Sequence, residues 1–280
     1  MNVGIVGQGF VGTAVREGLK DYFQLFTYDI NKSICNSESL EAVVNNSEII
    51  FLCLPTPMKI STGECDTSIL EKEILAIDAL SKDRKIVVIK STIPPGTSRK
   101  FSQFTKNIEV VFNPEFLTEA NSINDFKNQN RIIVGGQLNS CEKVERMFKV
   151  VFPSVPVIKT SFEVAEMVKY FTNCFLAMKV TFANEMFEIC NSAGIDYDEV
   201  ILNSLYDERI GKSHLKVPGP DGDFGFGGHC FPKDVAALIH FSKINGLQAE
   251  VLNCVQNKNN SIRKNKDWLE MEGRAIMRDK

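Results

Sequence analysis

The apolar positions of this chain fall into two rhythms. In its first part, short nearly continuous runs recur at residues 3–6, 25–29, 48–54, 85–90, 108–112, 131–135 and 155–159, rich in Val, Ile and Phe. Runs of that length without polar alternation predict strands buried on both faces, hence a mostly parallel sheet with helices on either side. The stretches between them, beginning with residues 13–19, read as those helices. From residue 160 the rhythm changes. Thr160-Ser161-Phe162-Glu163 has capping-box spacing and opens one helix to about residue 191, apolar on more than one face. Such a helix belongs between domains or between subunits. Helices are expected over 197–209, 232–245 and 247 to about 277, with a proline- and glycine-rich loop over 215–228. The fold class is therefore α/β, with a sheet domain at 1–159 and an all-helical central domain at 160–280.

Composition narrows the function. At 280 residues, 44% hydrophobic and 24% charged, the chain has the make-up of a soluble globular protein of two domains. A net charge of -3 argues against a general nucleic-acid or anionic-membrane binder. No apolar run reaches membrane-spanning length and no leader pattern precedes Val3, so a cytosolic protein is expected. The eight cysteines have no Cys-x-x-Cys spacing and the three histidines are spread out, which points to neither a zinc site nor a disulfide framework.

Gly7-Gln8-Gly9-Phe10-Val11-Gly12 directly follows the first strand and opens a helix. That context turns a common glycine spacing into a dinucleotide cradle: a tight turn, a close approach for the pyrophosphate, and helix packed on strand. Asp29 ends the second strand where a carboxylate meets the adenosine ribose and repels a 2′-phosphate, favouring NAD over NADP; Lys32 stands nearby and tempers that preference. Polar residues then gather just past successive strand ends, at Thr56, Ser91, Thr92, Asn113, Glu115 and Glu119. On the long helix, Glu166, Lys169 and Asn173 are spaced three and four apart and share a face, and a lysine on so apolar a helix calls for a partner or ligand. Finally, Gly225-Phe226-Gly227-Gly228-His229-Cys230-Phe231-Pro232-Lys233-Asp234 sets a cysteine between a glycine turn and a helix start. A thiol there is either a small core residue or a nucleophile whose pKa the helix terminus lowers.

These motifs, with Leu54-Pro55-Thr56-Pro57, Lys90 to Thr97, Asn113-Pro114-Glu115-Phe116-Leu117-Thr118-Glu119 and Arg209-Ile210-Gly211, closely resemble those of the UDP-glucose dehydrogenase family, within the UDP-glucose/GDP-mannose dehydrogenases, over residues 1 to about 260. The resemblance implies a four-electron oxidation of a nucleotide-sugar alcohol to the carboxylate with two NAD, as in glucuronate supply for polysaccharide synthesis. It implies catalytic roles for Thr92, Glu115, Lys169, Asn173, Cys230 and Asp234, with Cys230 holding the aldehyde covalently. Cofactor contacts are implied at Gly7, Gly9, Phe10, Val11, Gly12, Asp29, Lys32, Pro55, Thr56, Thr92, Glu119 and Lys233. Substrate contacts are implied at Glu115, Phe116, Leu117, Lys169, Asn173, Arg209, Phe226, Gly227 and Cys230, and a homodimer through the long helices. Alternatives are the same scaffold acting on GDP-mannose or a UDP-N-acetylhexosamine, or a non-catalytic NAD or sugar-nucleotide binder. Family members carry a third, C-terminal domain that closes on the nucleotide, which this sequence does not contain. An insertion-like stretch, Val217 to Asp223, is expected to compensate in part.

Overall fold

The computed structural model describes residues 1–278. In chain order the elements are β1 (Asn2–Val6), α1 (Phe10–Leu19), β2 (Gln24–Tyr28), α2 (Leu40–Asn46), β3 (Ile49–Leu52), β4 (Met58–Lys59), α3 (Ser68–Leu80), β5 (Lys85–Ile89), α4 (Thr97–Phe104), β6 (Ile108–Phe112), α5 (Ser122–Lys127), β7 (Ile132–Gly136), α6 (Leu138–Val151), β8 (Val157–Thr160), α7 (Phe162–Ala193), α8 (Tyr197–Ser204), α9 (Phe231–Ile244), α10 (Glu250–Ile262) and β9 (Ile276–Met277). They form two compact units: Met1–Thr56 with Asp66–Lys169, and Pro57–Cys65 with Tyr170–Lys280. The sequence-derived boundary at 159/160 falls at the end of β8; the second unit takes up the chain from Tyr170, within α7.

In the first unit a seven-stranded sheet runs in the order β2-β1-β3-β5-β6-β7-β8, parallel except for the β6–β7 pair. Side chains along each strand alternate between two buried layers. Ile49, Phe51 and Val88 pack on one face with Val15 and Phe148, while Ile50, Leu52 and Val87 pack on the other with Val43, Ile74 and Phe101. Because both faces are covered by helices, the strands read as unbroken apolar runs rather than as alternation. The chain starts at β1, moves out to β2, then returns to pair β3 on β1's other side. This reversal opens the crevice where such sheets bind ligands, outside the carboxyl ends of the strands.

The second unit is built on α7 to α10, with a small parallel pair, β4 with β9, that the helical expectation had not included. Helix formation stops sooner than periodicity predicted. The stretch 247–277 is not one helix: α10 ends at Ile262, where Arg263 turns extended (ψ 117°). Its side chain goes inward to carboxylates, and the returning chain buries Trp268 and Ile276 against Met58 and Ala236. Likewise α8 ends at Ser204 rather than continuing to Arg209, because Asp207 folds back to accept from the backbone N–H of Arg209.

Candidate active site

The glycine loop sits between β1 and α1, at the crevice. Gly7 has φ +88°, and a Cβ there would lie 2.3 Å from the Cys53 carbonyl oxygen; one on Gly12 would lie 1.8 Å from that of Gly7. These two glycines let the loop, β3 and α1 pack together. Gly9 differs: no atom lies within 4 Å of its Cβ direction. That bare, outward-facing backbone at a helix start fits a pyrophosphate, with Phe10 and Val11 half-buried behind it. Asp29 is tied to the same loop, since its Oδ2 accepts from Gln8 N at 2.6 Å and its Oδ1 from Asn31 N at 2.9 Å. The Lys32 ammonium lies 3.7 Å over the Tyr28 ring and donates to the Glu38 carbonyl.

At the next strand ends, Ser91 Oγ donates to Leu54 O at 2.7 Å and accepts from Leu54 N, and Thr56 Oγ1 donates to Thr92 O at 2.7 Å. Thr56 and Thr92 are buried, while Pro55 is exposed. Lys90, a charged residue closing an apolar strand, is buried and donates to Asn113 Oδ1 at 2.8 Å; Asn113 Nδ2 donates to Ile133 O. Burial pulls the Lys90 ammonium down to about 8. Asn113 thereby anchors the turn that presents Glu115.

Glu115 and Lys169 form a buried pair. Lys169 Nζ donates to the Glu115 backbone carbonyl at 2.7 Å and to Oε1 at 2.8 Å, and Leu117 N donates to Oε2 at 2.7 Å. Burial alone would raise this carboxyl, but the charge and hydrogen bond of Lys169, the Leu117 N–H and Lys90 hold it below the usual carboxylate range. Two cations lie over the Phe116 ring, Arg131 at 4.6 Å and Lys169 at 5.7 Å from its centroid. Leu117 packs into the core, and Glu119 is exposed at the start of a short 3-10 turn.

Glu166 takes a different role from its neighbour on α7. Fully buried, it accepts from Gly96 N at 2.6 Å and Ser98 N at 2.8 Å, capping α4, whose own N-cap position is Gly96 with no side chain to do so. Burial pushes its carboxyl up to about 7.

In the second unit Cys230 is half-buried at the N-cap of α9, and its carbonyl accepts from Asp234 N at 3.0 Å. Asp234, 1% exposed, is the hub: Asn173 Nδ2 donates to its Oδ2 at 2.6 Å and Lys233 Nζ to its Oδ1 at 2.5 Å. Burial works against the Lys233 ammonium, but Asp234, then Cys230 and Cys65, attract it strongly enough to raise it above the ordinary lysine value. Lys233, expected at the cofactor, is thus held beside Asp234 and the thiol. Phe226 is buried and meets Phe231 edge-on at 5.9 Å. Arg209 is exposed and pairs with Asp207. Asp221 and Asp223 of the insertion-like stretch are occupied with Arg263, and Asp223 also with Asn265 N.

Sequence reasoning singled out neither Asn259 nor Arg263, which prove to be buried polar residues behind the Cys230 loop. Their signal was present: Val255, Asn259 and Arg263 recur every four residues, so the two polar side chains continue an apolar face.

A glycine cradle at the switch point of a doubly wound sheet, joined to a helical unit carrying an N-cap cysteine, defines a dinucleotide-binding protein of the dehydrogenase class. The chain belongs to the UDP-glucose/GDP-mannose dehydrogenase family, whose NAD-binding domain matches residues 30–152 and whose central domain matches residues 163–261. UDP-glucose 6-dehydrogenase TuaD of Bacillus subtilis is 34% identical over 253 residues, spanning 88% of this chain and 53% of its own length. A UDP-glucose 6-dehydrogenase of Rickettsia bellii is 35% identical over 232 residues, or 80% and 50%. Among solved structures, a UDP-glucose dehydrogenase from Pyrobaculum islandicum superposes with a TM-score of 0.83 at 28% identity, covering 93% of this chain and 68% of that one. The chain spans about half the length of these curated relatives. No helix among the described residues is long and apolar enough to cross a membrane.

Proposed function

We propose that the chain oxidises a nucleotide sugar, UDP-glucose to UDP-glucuronate, in two NAD-dependent steps through a covalent intermediate on Cys230. The observation that carries the reading is the setting of that cysteine: an N-cap thiol with the buried Asn173–Asp234–Lys233 cluster one turn further on. A protein that only bound NAD or a sugar nucleotide would have no use for it.

Gly7, Gly9, Phe10, Val11, Gly12, Asp29, Pro55, Thr56, Thr92 and Glu119 are the residues we assign to the dinucleotide, which when bound would supply the hydride acceptor for each oxidation. Lys32 and Lys233 do not strengthen that set, since each is engaged with other residues of its own unit. Lys169 and Asn173, four apart on α7, supply donors for the oxygen on the reacting carbon as it gains negative charge. The sulfur of Cys230 adds to the aldehyde carbon, giving a thiohemiacetal whose carbon–hydrogen bond is the second to break. Loss of that hydride, with the hydroxyl proton passing to solvent, leaves a thioester. Water then cleaves the carbon–sulfur bond, releasing the carboxylate and returning the thiol; Glu115 or Asp234 takes the water's proton. Holding the aldehyde covalently keeps it from diffusing away between the two oxidations. Phe116, Leu117, Phe226, Gly227 and Arg209 complete the assigned substrate contacts, and a thiol with this task suits the reducing cytosol.

We extend the reading to a homodimer. On α7, Phe171, Phe175, Phe182 and Ile189 recur at spacings of four and seven and are between 46% and 67% exposed, a stripe whose burial needs a second copy. Sedimentation equilibrium checks it.

The deciding experiment is NADH counted per sugar consumed, over a panel of UDP-glucose, GDP-mannose and UDP-N-acetylhexosamines. Two per UDP-glucose is expected, with Cys230→Ser failing to complete the second oxidation. One per sugar in the unaltered protein would overturn the covalent mechanism, and faster turnover of another sugar would change the substrate.

A further inference from the structure

The glycines ahead of Cys230 invite the explanation that they let a ligand approach. Two of them serve another purpose. A Cβ on Gly225 would lie 2.3 Å from Asn259 Oδ1, and one on Gly227 would lie 2.3 Å from Arg263 Nη2 and 2.4 Å from Asp267 Oδ1. Gly225 also has φ +69°. The loop is bare at these points so that side chains from α10 and the turn after it can reach its backbone. Only Gly228, of the four residues 225–228, is a glycine with open space on its Cβ side.

What reaches in is a set of matched hydrogen bonds. Asn259, 2% exposed, accepts from Phe226 N through Oδ1 at 2.7 Å and donates to Phe226 O through Nδ2 at 3.0 Å. A side-chain amide is the group that offers one acceptor and one donor in the same spacing as a peptide, so it pairs with residue 226 as a neighbouring strand would. Two residues on, both carboxylate oxygens of Asp267 accept from Gly228 N, at 3.1 and 3.0 Å. Arg263, 4% exposed, stands beneath them, with Nη2 2.6 Å from Asp221 and 3.7 Å from Asp267 and Nε donating to Asn265 O at 2.8 Å. The last of these anchors is two residues before Cys230.

We propose that Asn259 and Asp267 are positioning residues for Cys230, fixing the loop path that sets the thiol at the start of α9, with Arg263 bracing the clamp. The importance of that placement rests on the role given to Cys230 above; the clamp itself is independent of it. Truncating Asn259 leaves a buried N–H and C=O of Phe226 without partners, so the loop relaxes and the sulfur moves. A shift of about 1 Å in a reacting group costs on the order of 10²-fold in rate.

The experiment compares Asn259→Ala, Asn259→Asp and Leu252→Ala with the unaltered protein. Leu252 packs in the same helical unit but makes none of these bonds, so it reports simple loss of packing. Two readouts are taken on folded protein, verified by circular dichroism: the rate at which iodoacetamide alkylates Cys230, followed by mass spectrometry of its peptide, and kcat against KM for UDP-glucose oxidation. Asn259→Ala is expected to change the Cys230 alkylation rate several-fold and to lower kcat by roughly 10- to 100-fold while KM for NAD stays within about two-fold. Asn259→Asp keeps the acceptor toward Phe226 N and is expected to fall between; it carries the test should Asn259→Ala fail to fold. Leu252→Ala should lose stability with both readouts unchanged. Wild-type alkylation and kcat in a folded Asn259 variant, or equal losses in Leu252→Ala, overturn the proposal. If the unaltered protein turns over no nucleotide sugar, the oxidation reading fails, and the alkylation rates still decide the clamp.

Discussion

Lys169 and Glu115 are joined twice, because the ammonium binds both the backbone carbonyl and the carboxylate of the same residue. The pair is almost wholly shielded, at 3% and 6% side-chain exposure. One substitution therefore breaks a charge pair and also frees a turn. Lys169→Met should destabilise the protein by about 3 kcal/mol or more, since it leaves a carboxylate buried without its cation. Replacing both, as Lys169→Met with Glu115→Leu, should restore much of that loss. Urea unfolding of the three variants measures it, and equal stability of single and double variants would contradict the pairing.

Glu166 gives a pH dependence with a definite sign. Its carboxyl is raised by burial from an unfolded value near 4.5 to about 7. Between those values the native state holds more protons than the unfolded one, so stability from this group is greatest at low pH and is lost as pH rises through 7. Relative to Glu166→Gln, the unaltered protein should lose on the order of 2–3 kcal/mol between pH 5 and pH 8. Denaturant titrations of both proteins across that window check the slope.

Two glycines of the first turn should respond differently to the same change. Gly12→Ala places a methyl within bonding distance of the Gly7 carbonyl and should cost at least about 3 kcal/mol. Gly9→Ala meets nothing within 4 Å and has an ordinary backbone (φ -65°), so its melting temperature should be that of the unaltered protein. On the cofactor placement proposed above, its NAD affinity should nonetheless fall by about ten-fold or more, because the methyl would occupy the approach of the pyrophosphate. Thermal melts and NAD titration separate the two effects.

Asp29 offers a test of cofactor choice. Its Oδ2 is bound to Gln8 N in the glycine loop, so the charge is held at the cradle rather than swinging into solvent. Asp29→Asn keeps an acceptor for Gln8 N and removes the charge proposed to repel a 2′-phosphate. The ratio of kcat/KM for NADP to that for NAD should rise by about ten-fold. An unchanged ratio would assign discrimination to other residues.

Much of the first unit could be read directly. Continuous apolar runs identified all seven strands of the sheet within a few residues, because burial on both faces leaves the same mark wherever the strands pair. Gly7, Gly9, Gly12 and Asp29 were legible since their spacing along the chain is itself the geometry. Helix ends were less so. The stretch 247–277 has helical periodicity, yet Arg263 turns inward to Asp221 and the chain reverses to pair Ile276 with Met58. Partners some forty and more than two hundred residues earlier in sequence leave no trace in local pattern.

The sequence by itself determined the strand–loop–helix cradle, the presence of a cysteine at a helix start, and the i, i+4 relation of Lys169 and Asn173, all consequences of short-range backbone periodicity. Only the tertiary structure decided which polar groups are bound to which. Glu166, three residues from Lys169, caps α4 instead of joining Glu115; Lys233 is held by Asp234; and Gly225 and Gly227 make room for Asn259, Arg263 and Asp267. A charged group's partner depends on the distance and dielectric that the whole fold creates around it, and those exist only once the chain is packed.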